Sequence, residues 1–253
     1  MDTHISADIY GSRVRDLGRF EKPVLVCGGA YSNLEALSAL LEAADALSIP
    51  PGRIIHTGDV IAYCADPAET AELLRSAHLH ALRGNVEESL AAALADCQCG
   101  FEAESLCNAL SAAWFAYADA RVGDELRQWM GRLPGHLTFE MSGQRIRVVH
   151  GGVREINRFV FASQPESDLE AEFAAAGADM IIAGHSGLPF TKCAGSRVWH
   201  NSGPLGLPAN DGTRRAWFSV LTPLADGIRI EHHAIDYDHE TARAKMIEAG
   251  LGA

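Results

Sequence analysis

The chain has 253 residues, 47% of them hydrophobic, enough for one large domain with a substantial core. Its formal net charge of -12, from 33 acidic and 21 basic residues, repels a phosphate backbone and argues against dedicated nucleic-acid binding. No apolar run approaches the roughly 20 residues of a membrane-spanning helix, and the start of the chain lacks the apolar segment of a secretory leader, so a cytoplasmic protein is the expectation.

In chain order, PVLVC (23–27) predicts a strand, and SNLEALSALLEAADAL (32–47) predicts a helix capped by Ser32 or Asn33. A second strand is expected over RIIHTGD (53–59), then a helix opened by Asp66 and Pro67, then a third strand in HLHALRGN (78–85). That alternation implies parallel strands with crossover helices. Residues 86–131 are Ala-rich and read as a helical, cap-like segment interrupted at CQCG. Alternating runs about Ser142-Gly143 predict a β-hairpin, followed by a helix at about 165–176 and a strand over DMIIAGH (179–185). A second hairpin about Ala194-Gly195, strands over 214–221 and 228–236, and a final helix complete the chain, read as a single domain over 1–253.

Six cysteines stand at 27, 64, 97, 99, 107 and 193. In a reducing compartment free thiols are the default. Cys97 and Cys99 lie one residue apart, closer than structural zinc spacing, and with Cys107 they leave a metal or redox loop as the other reading. His56, His78 and His80 fall in predicted strands, where buried imidazoles are the expectation.

Four potential metal ligands fall just past predicted strands: Asp59 in TGD, Asn85 in RGN, His150 in VVHGG and His185 in AGHSG. In a sheet of this kind ligands collect beyond the strand carboxyl ends. Two oxygens and two imidazoles suit Zn, Mn or Fe. Glycine beside each one lets the chain turn sharply and leaves space for a substrate.

The order of these motifs resembles the calcineurin-like metallophosphoesterases over roughly residues 23–236. GAYSN (29–33), TGD (57–59), GNVEE (84–88), HGG (150–152) and GHSG (184–187) stand where that family carries D-x-H-G-N, G-D, G-N-H-D/E, a lone His with Gly, and G-H-x-H. YCADPAE (63–69) and NSGPLGLPAND (201–211) also resemble family stretches. The resemblance implies a four-layer α/β/β/α sandwich of two mixed sheets. It also implies hydrolysis of a phosphomonoester or phosphodiester on a small phosphorylated substrate.

The match is incomplete. Gly29 and Tyr31 replace the Asp and His of the first motif, Gly187 replaces the last His, and Val86 replaces the histidine acid. The family's second-metal ligands remain as Asp59, Asn85, His150 and His185, whereas every ligand specific to the first metal is lost. One divalent transition ion, Zn, Mn or Fe, is therefore expected rather than two. Tyr31 joins Asp59, Asn85 and His150 as a catalytic candidate, because a phenol at a former ligand position can donate to a phosphoryl oxygen. Glu87 and Cys64 are further substitutes for the missing acid, and Arg154, Arg158 and Asn33 are the substrate-binding candidates. Two alternatives remain: a catalytically inactive relative that binds a phosphorylated ligand or protein partner, and an Fe(II) site for oxygen chemistry.

Overall fold

The computed structural model describes residues 13–101 and 104–251, without the side chains of 107 and 109. Eleven strands are described: β1 (Val14–Arg19), β2 (Val24–Cys27), β3 (Ile54–His56), β4 (His80–Ala81), β5 (His136–Met141), β6 (Gln144–Val148), β7 (Met180–Ala183), β8 (Pro189–Ala194), β9 (Arg197–Ser202), β10 (Ala216–Leu224) and β11 (Gly227–Ile235). The α-helices are α1 (Leu34–Ala46), α2 (Pro67–Ser76), α3 (Asn85–Ala91), α4 (Leu106–Asp119), α5 (Asp124–Arg132), α6 (Ser167–Ala176) and α7 (His239–Glu248).

The strands form a six-stranded sheet, β1-β5-β6-β7-β9-β8, and a five-stranded sheet, β11-β10-β2-β3-β4. Both are mixed. β2, β3 and β4 run parallel, as the βαβαβ pattern requires, and β10 closes antiparallel onto β2. Three apolar clusters separate four layers. Val24, Val26 and Ile55 meet Leu137, Phe139, Val148 and Ile182 between the sheets. Leu25, Leu37, Leu40 and Leu74 join helices to the outer face of the five-stranded sheet, and Leu169, Phe173 and Trp199 join α6 to the six-stranded one. This is the expected α/β/β/α sandwich.

Local chemistry sets the boundaries. Asn33 caps α1 by accepting the Ala36 N–H at 3.0 Å. Ser142 and Gly143 both have positive φ, 49° and 74°, the geometry that a two-residue hairpin between β5 and β6 demands. Lys245 on α7 bonds Glu35 at 2.5 Å and Asp66 at 2.6 Å, fastening the C-terminal helix to the entrances of α1 and α2.

Three expectations need correction. β1 was not anticipated: VRDLGR is charged, largely exposed and lacks alternation, yet it pairs parallel with β5 at the sheet edge. The strand expected over 78–85 contracts to two residues, with His78 exposed at φ 57° and half-buried His80 bonded to the Gly52 carbonyl; of the three strand histidines only His56 is buried. The cysteines are not all free, because Cys97 and Cys99 form a disulfide, while the Cys107 side chain lies outside the described residues.

Candidate metal centre

The site collects at the carboxyl ends of strands from both sheets. Asp59 follows β3 through Thr57-Gly58, and Asn85 opens α3 just past β4. His150 lies two residues beyond β6, and His185 two beyond β7. Asp59 and His185 both sit in the left-handed region, at φ 58° and 56°. Such conformations are costly for non-glycine residues and concentrate where a side chain must be aimed. The packing is close: a Cβ on Gly84 would lie 2.3 Å from Asp59 Oδ1, and one on Gly58 would lie 2.8 Å from His150 Nδ1.

His150 Nε2 is the centre of the group. It lies 2.9 Å from Asn85 Oδ1, 3.1 Å from His185 Nδ1 and 3.2 Å from Asp59 Oδ2. Its other nitrogen, Nδ1, lies 2.7 Å from the Thr57 carbonyl, which can only accept, so Nδ1 carries a proton and donates. In the neutral ring Nε2 is then a bare lone pair facing two oxygens and a second imidazole. The Asn85 amide is oriented the same way. Its Nδ2 donates to the Cys97 carbonyl at 2.8 Å and approaches Cys99 Sγ at 3.5 Å, leaving Oδ1 to the cluster. Acceptors converging in a buried space repel one another unless a proton or a cation lies among them.

The titration behaviour follows. Burial lowers the His150 pKa, but the adjacent Asp59 carboxylate and its hydrogen bond outweigh burial and hold it above the ordinary value. Burial raises Asp59, and His150 beside it reverses the sign, so its carboxyl titrates below the usual range. His185 is pushed down to about 3, first by burial and then by His150. Its Nδ1 is the nitrogen that faces His150 Nε2. One ligand atom each from Asp59, His150 and His185 lies within 4.8 Å of the others. His185 Nδ1, His150 Nε2, the Asn85 amide oxygen and the Asp59 carboxylate converge on one point, a donor set that fits a divalent transition ion.

The remaining sequence candidates fall in different places. Tyr31 is buried, with φ 53°, stacked edge-on against Tyr63 at 5.1 Å. Burial and then Asp59 hold its phenol well above the ordinary pKa, so it is a neutral donor. Arg154 is exposed and lines a cavity that also includes Asn85. Arg158 instead pairs with buried Glu172 at 3.2 Å and donates to the Asp168 carbonyl, anchoring its loop to α6. Asn33 is engaged as the α1 cap and through Nδ2 to the Gly206 carbonyl at 2.9 Å. Cys64 is buried, its thiol pushed up to about 12, which removes it as a thiolate at neutral pH.

Two residues take supporting roles that the sequence alone did not show. Glu87 is fully buried and accepts N–H groups from Asp59 at 2.8 Å, Val60 at 2.9 Å and Gly84 at 2.8 Å. It therefore shapes the Asp59 loop; burial and then the Asp59 charge push its pKa up to about 7. Asn201 donates to the Gly184 carbonyl at 2.7 Å and accepts from Gly203 N–H, bracing the turn that carries His185.

Comparison with known proteins agrees with this geometry. The model of the calcineurin-like phosphoesterase superfamily domain matches residues 2–222. An uncharacterized protein of Methanocaldococcus jannaschii is 23% identical over 245 residues, covering 90% of this chain and 93% of its own. The crystal structure of a hypothetical protein from Pyrococcus horikoshii OT3 superposes with a TM-score of 0.73 at 18% identity, over 90% of this chain and 94% of that one. A metallophosphoesterase from Sphaerobacter thermophilus gives 0.69 at 22% identity, over 90% and 95%. With two facing mixed sheets, Asp59, Asn85, His150 and His185 gathered at their shared end, and a family match over residues 2–222, this chain belongs to the calcineurin-like phosphoesterase superfamily.

Proposed function

We propose that the protein is a metal-dependent phosphoesterase that works with one divalent ion, held by Asp59, Asn85, His150 and His185. The single observation that carries this reading is the inward convergence of lone pairs on His150 Nε2, whose tautomer the Thr57 carbonyl fixes. A bound ion supplies Lewis-acid polarisation of a phosphoryl oxygen and lowers the pKa of a bound water. The chain does the positioning. Glu87 holds the Asp59 loop through backbone amides, and Cys97 and Cys99 orient the Asn85 amide. Tyr31, kept protonated, is available as a donor to a phosphoryl oxygen, and Arg154 supplies a guanidinium beside Asn85.

Support for one ion rather than two comes from the Gly29 position. A Cβ there would meet the Tyr31 ring at 2.2 Å, so the aromatic ring occupies the space an aspartate would need. A second reading, binding of a phosphorylated ligand without turnover, draws support from Val86, an apolar residue with no exposed surface where the family's histidine acid stands. Elemental analysis per chain, combined with hydrolysis of p-nitrophenyl phosphate and its diester, separates the readings. One equivalent of metal with turnover supports the mononuclear enzyme; one equivalent without turnover supports the binding protein; two equivalents defeat the single-ion assignment.

A further inference from the structure

Two neighbouring cavities lie between α4, α7 and the 206–208 loop. The larger, about 430 Å³, is apolar: Leu110, Ala113 and Trp114 of α4 line it with Leu207, Met246 and Leu251. The smaller, about 280 Å³, is polar: Arg214, Tyr237, His239 and Arg243 line it with Asn33 and Cys64. Leu207 and Met246 line both, so the two are arms of one groove, large enough together for a small molecule. The groove is open to water. Leu110 is exposed, and Leu207, Met246 and Leu251 are half-buried, which leaves apolar surface available to a ligand.

Charge distinguishes the polar arm. Among the described residues no carboxylate lines it, although the chain as a whole carries a net charge of -12. Carboxylates around it are already paired: Glu240 with Arg214 at 3.0 Å, and Glu35 and Asp66 with Lys245. Arg214 meets Glu240 and His239 through Nη1 alone, so its other nitrogens stay available. Arg243 is exposed, with no ion pair or side-chain hydrogen bond among the described residues. A guanidinium fork matches a carboxylate with paired hydrogen bonds. We infer that this groove binds a carboxylate with an apolar tail, its head on Arg243 and Arg214 and its tail against Leu110, Trp114, Leu207 and Leu251. One uncompensated positive charge matches a monoanion, which favours a carboxylate over a dianionic phosphate. The groove is separate from the metal centre, because none of Asp59, Asn85, His150 and His185 lines it, and it does not depend on the phosphoesterase reading.

Octanoate, octanol, acetate and octyl phosphate test this by calorimetry on the full chain. Octanoate is expected to bind about 10-fold tighter than octanol, the value of one charge-assisted hydrogen bond. It should also bind about 100-fold tighter than acetate, which lacks the tail. Arg243→Ala should bring octanoate down to the affinity of octanol, and Leu110→Asp should weaken both. Each of these side chains is exposed, so the variants should fold, as thermal melts will verify. A chelator should leave octanoate binding unchanged. Octanol binding as tightly as octanoate, octyl phosphate binding more tightly, octanoate binding that survives both substitutions, or binding lost on chelation would each overturn the site. So would a dimer, seen by sedimentation, that Leu110→Asp dissociates and octanoate does not, because the groove would then belong to a second copy of the chain.

Discussion

Gly29 and Tyr31 are sterically complementary: a Cβ on Gly29 would lie 2.2 Å from Tyr31 Cε1 and 2.6 Å from Cζ. The glycine is thus required by the ring. Gly29→Ala should destabilise the protein by about 1–3 kcal/mol, the usual cost of overpacking a core. Combined with Tyr31→Ala it should cost less than the sum of the two single substitutions. Urea unfolding of the four proteins measures the coupling, and strict additivity would show that the ring yields freely.

Removing a ligand side chain should abolish metal uptake. Asp59→Ala, His150→Ala and His185→Ala are each expected to fall from one bound equivalent to near zero. The midpoint of thermal unfolding, raised by added metal in the unmodified protein, should then no longer respond to it. Acidification acts in the same direction. The raised pKa of His150 means that the proton competes with the ion, so occupancy should drop as pH falls through that value. Equilibrium dialysis across pH 5–8 follows it.

Glu87 is a positioning residue. Its carboxylate satisfies N–H groups of Asp59, Val60 and Gly84 that are otherwise buried. Glu87→Ala leaves several donors unpaired and should cost about 3 kcal/mol or more, at 1–3 kcal/mol per unsatisfied group. Glu87→Gln keeps one acceptor oxygen and should recover part of that loss. Metal affinity should weaken in both variants and more in the alanine one, a readout that separates loop geometry from stability alone.

Acid should unfold the apoprotein well above the carboxylate range. His56, His136 and His200 are each held near a pKa of about 3, burial being the leading cause, against 6.5 for an exposed histidine. Their folded pKa values are depressed, so the unfolded chain binds more protons between those limits. The stability they contribute is complete above pH 6.5 and declines as pH falls toward 3. Each contributes a slope of up to about 1.4 kcal/mol per pH unit. Chemical denaturation at a series of pH values measures it, and a flat profile between pH 6.5 and 4 would contradict the burial.

The Cys97–Cys99 disulfide holds the turn that orients Asn85. A thiol assay in denaturant should count two more thiols after reduction than before. Reduction, or Cys97→Ser, should weaken metal binding by loosening the Asn85 amide. Unchanged affinity would mean that the Cys97 carbonyl keeps its place without the cross-link.

Much of this was readable in the sequence for an identifiable reason. Asp59, Asn85, His150 and His185 each follow an apolar run and adjoin glycine, so topology alone brings them to one end of the sandwich. Arg154 and Arg158 share a local pattern and could not be told apart, because only the fold places Glu172 opposite one of them. Glu87 looks like any acidic residue in a first helical turn until the Asp59 loop folds over it. β1 was invisible for the opposite reason: an exposed edge strand has no buried face to impose alternation on its sequence.

The pairing of β2 with β10 also constrains how the molecule comes into being. Cys27 lies opposite Phe218, and Val14 lies opposite His136, so neither sheet closes until a distant part of the chain has been synthesised. Contacts this remote along the sequence slow folding and prolong exposure of unpaired strands. On the ribosome the hairpin of β5 and β6 and the pairing of β2 with β3 can assemble early, whereas β2 gains its second neighbour only once residues 218–221 of β10 have emerged. That interval is when a nascent chain of this architecture is most open to chaperones and to aggregation.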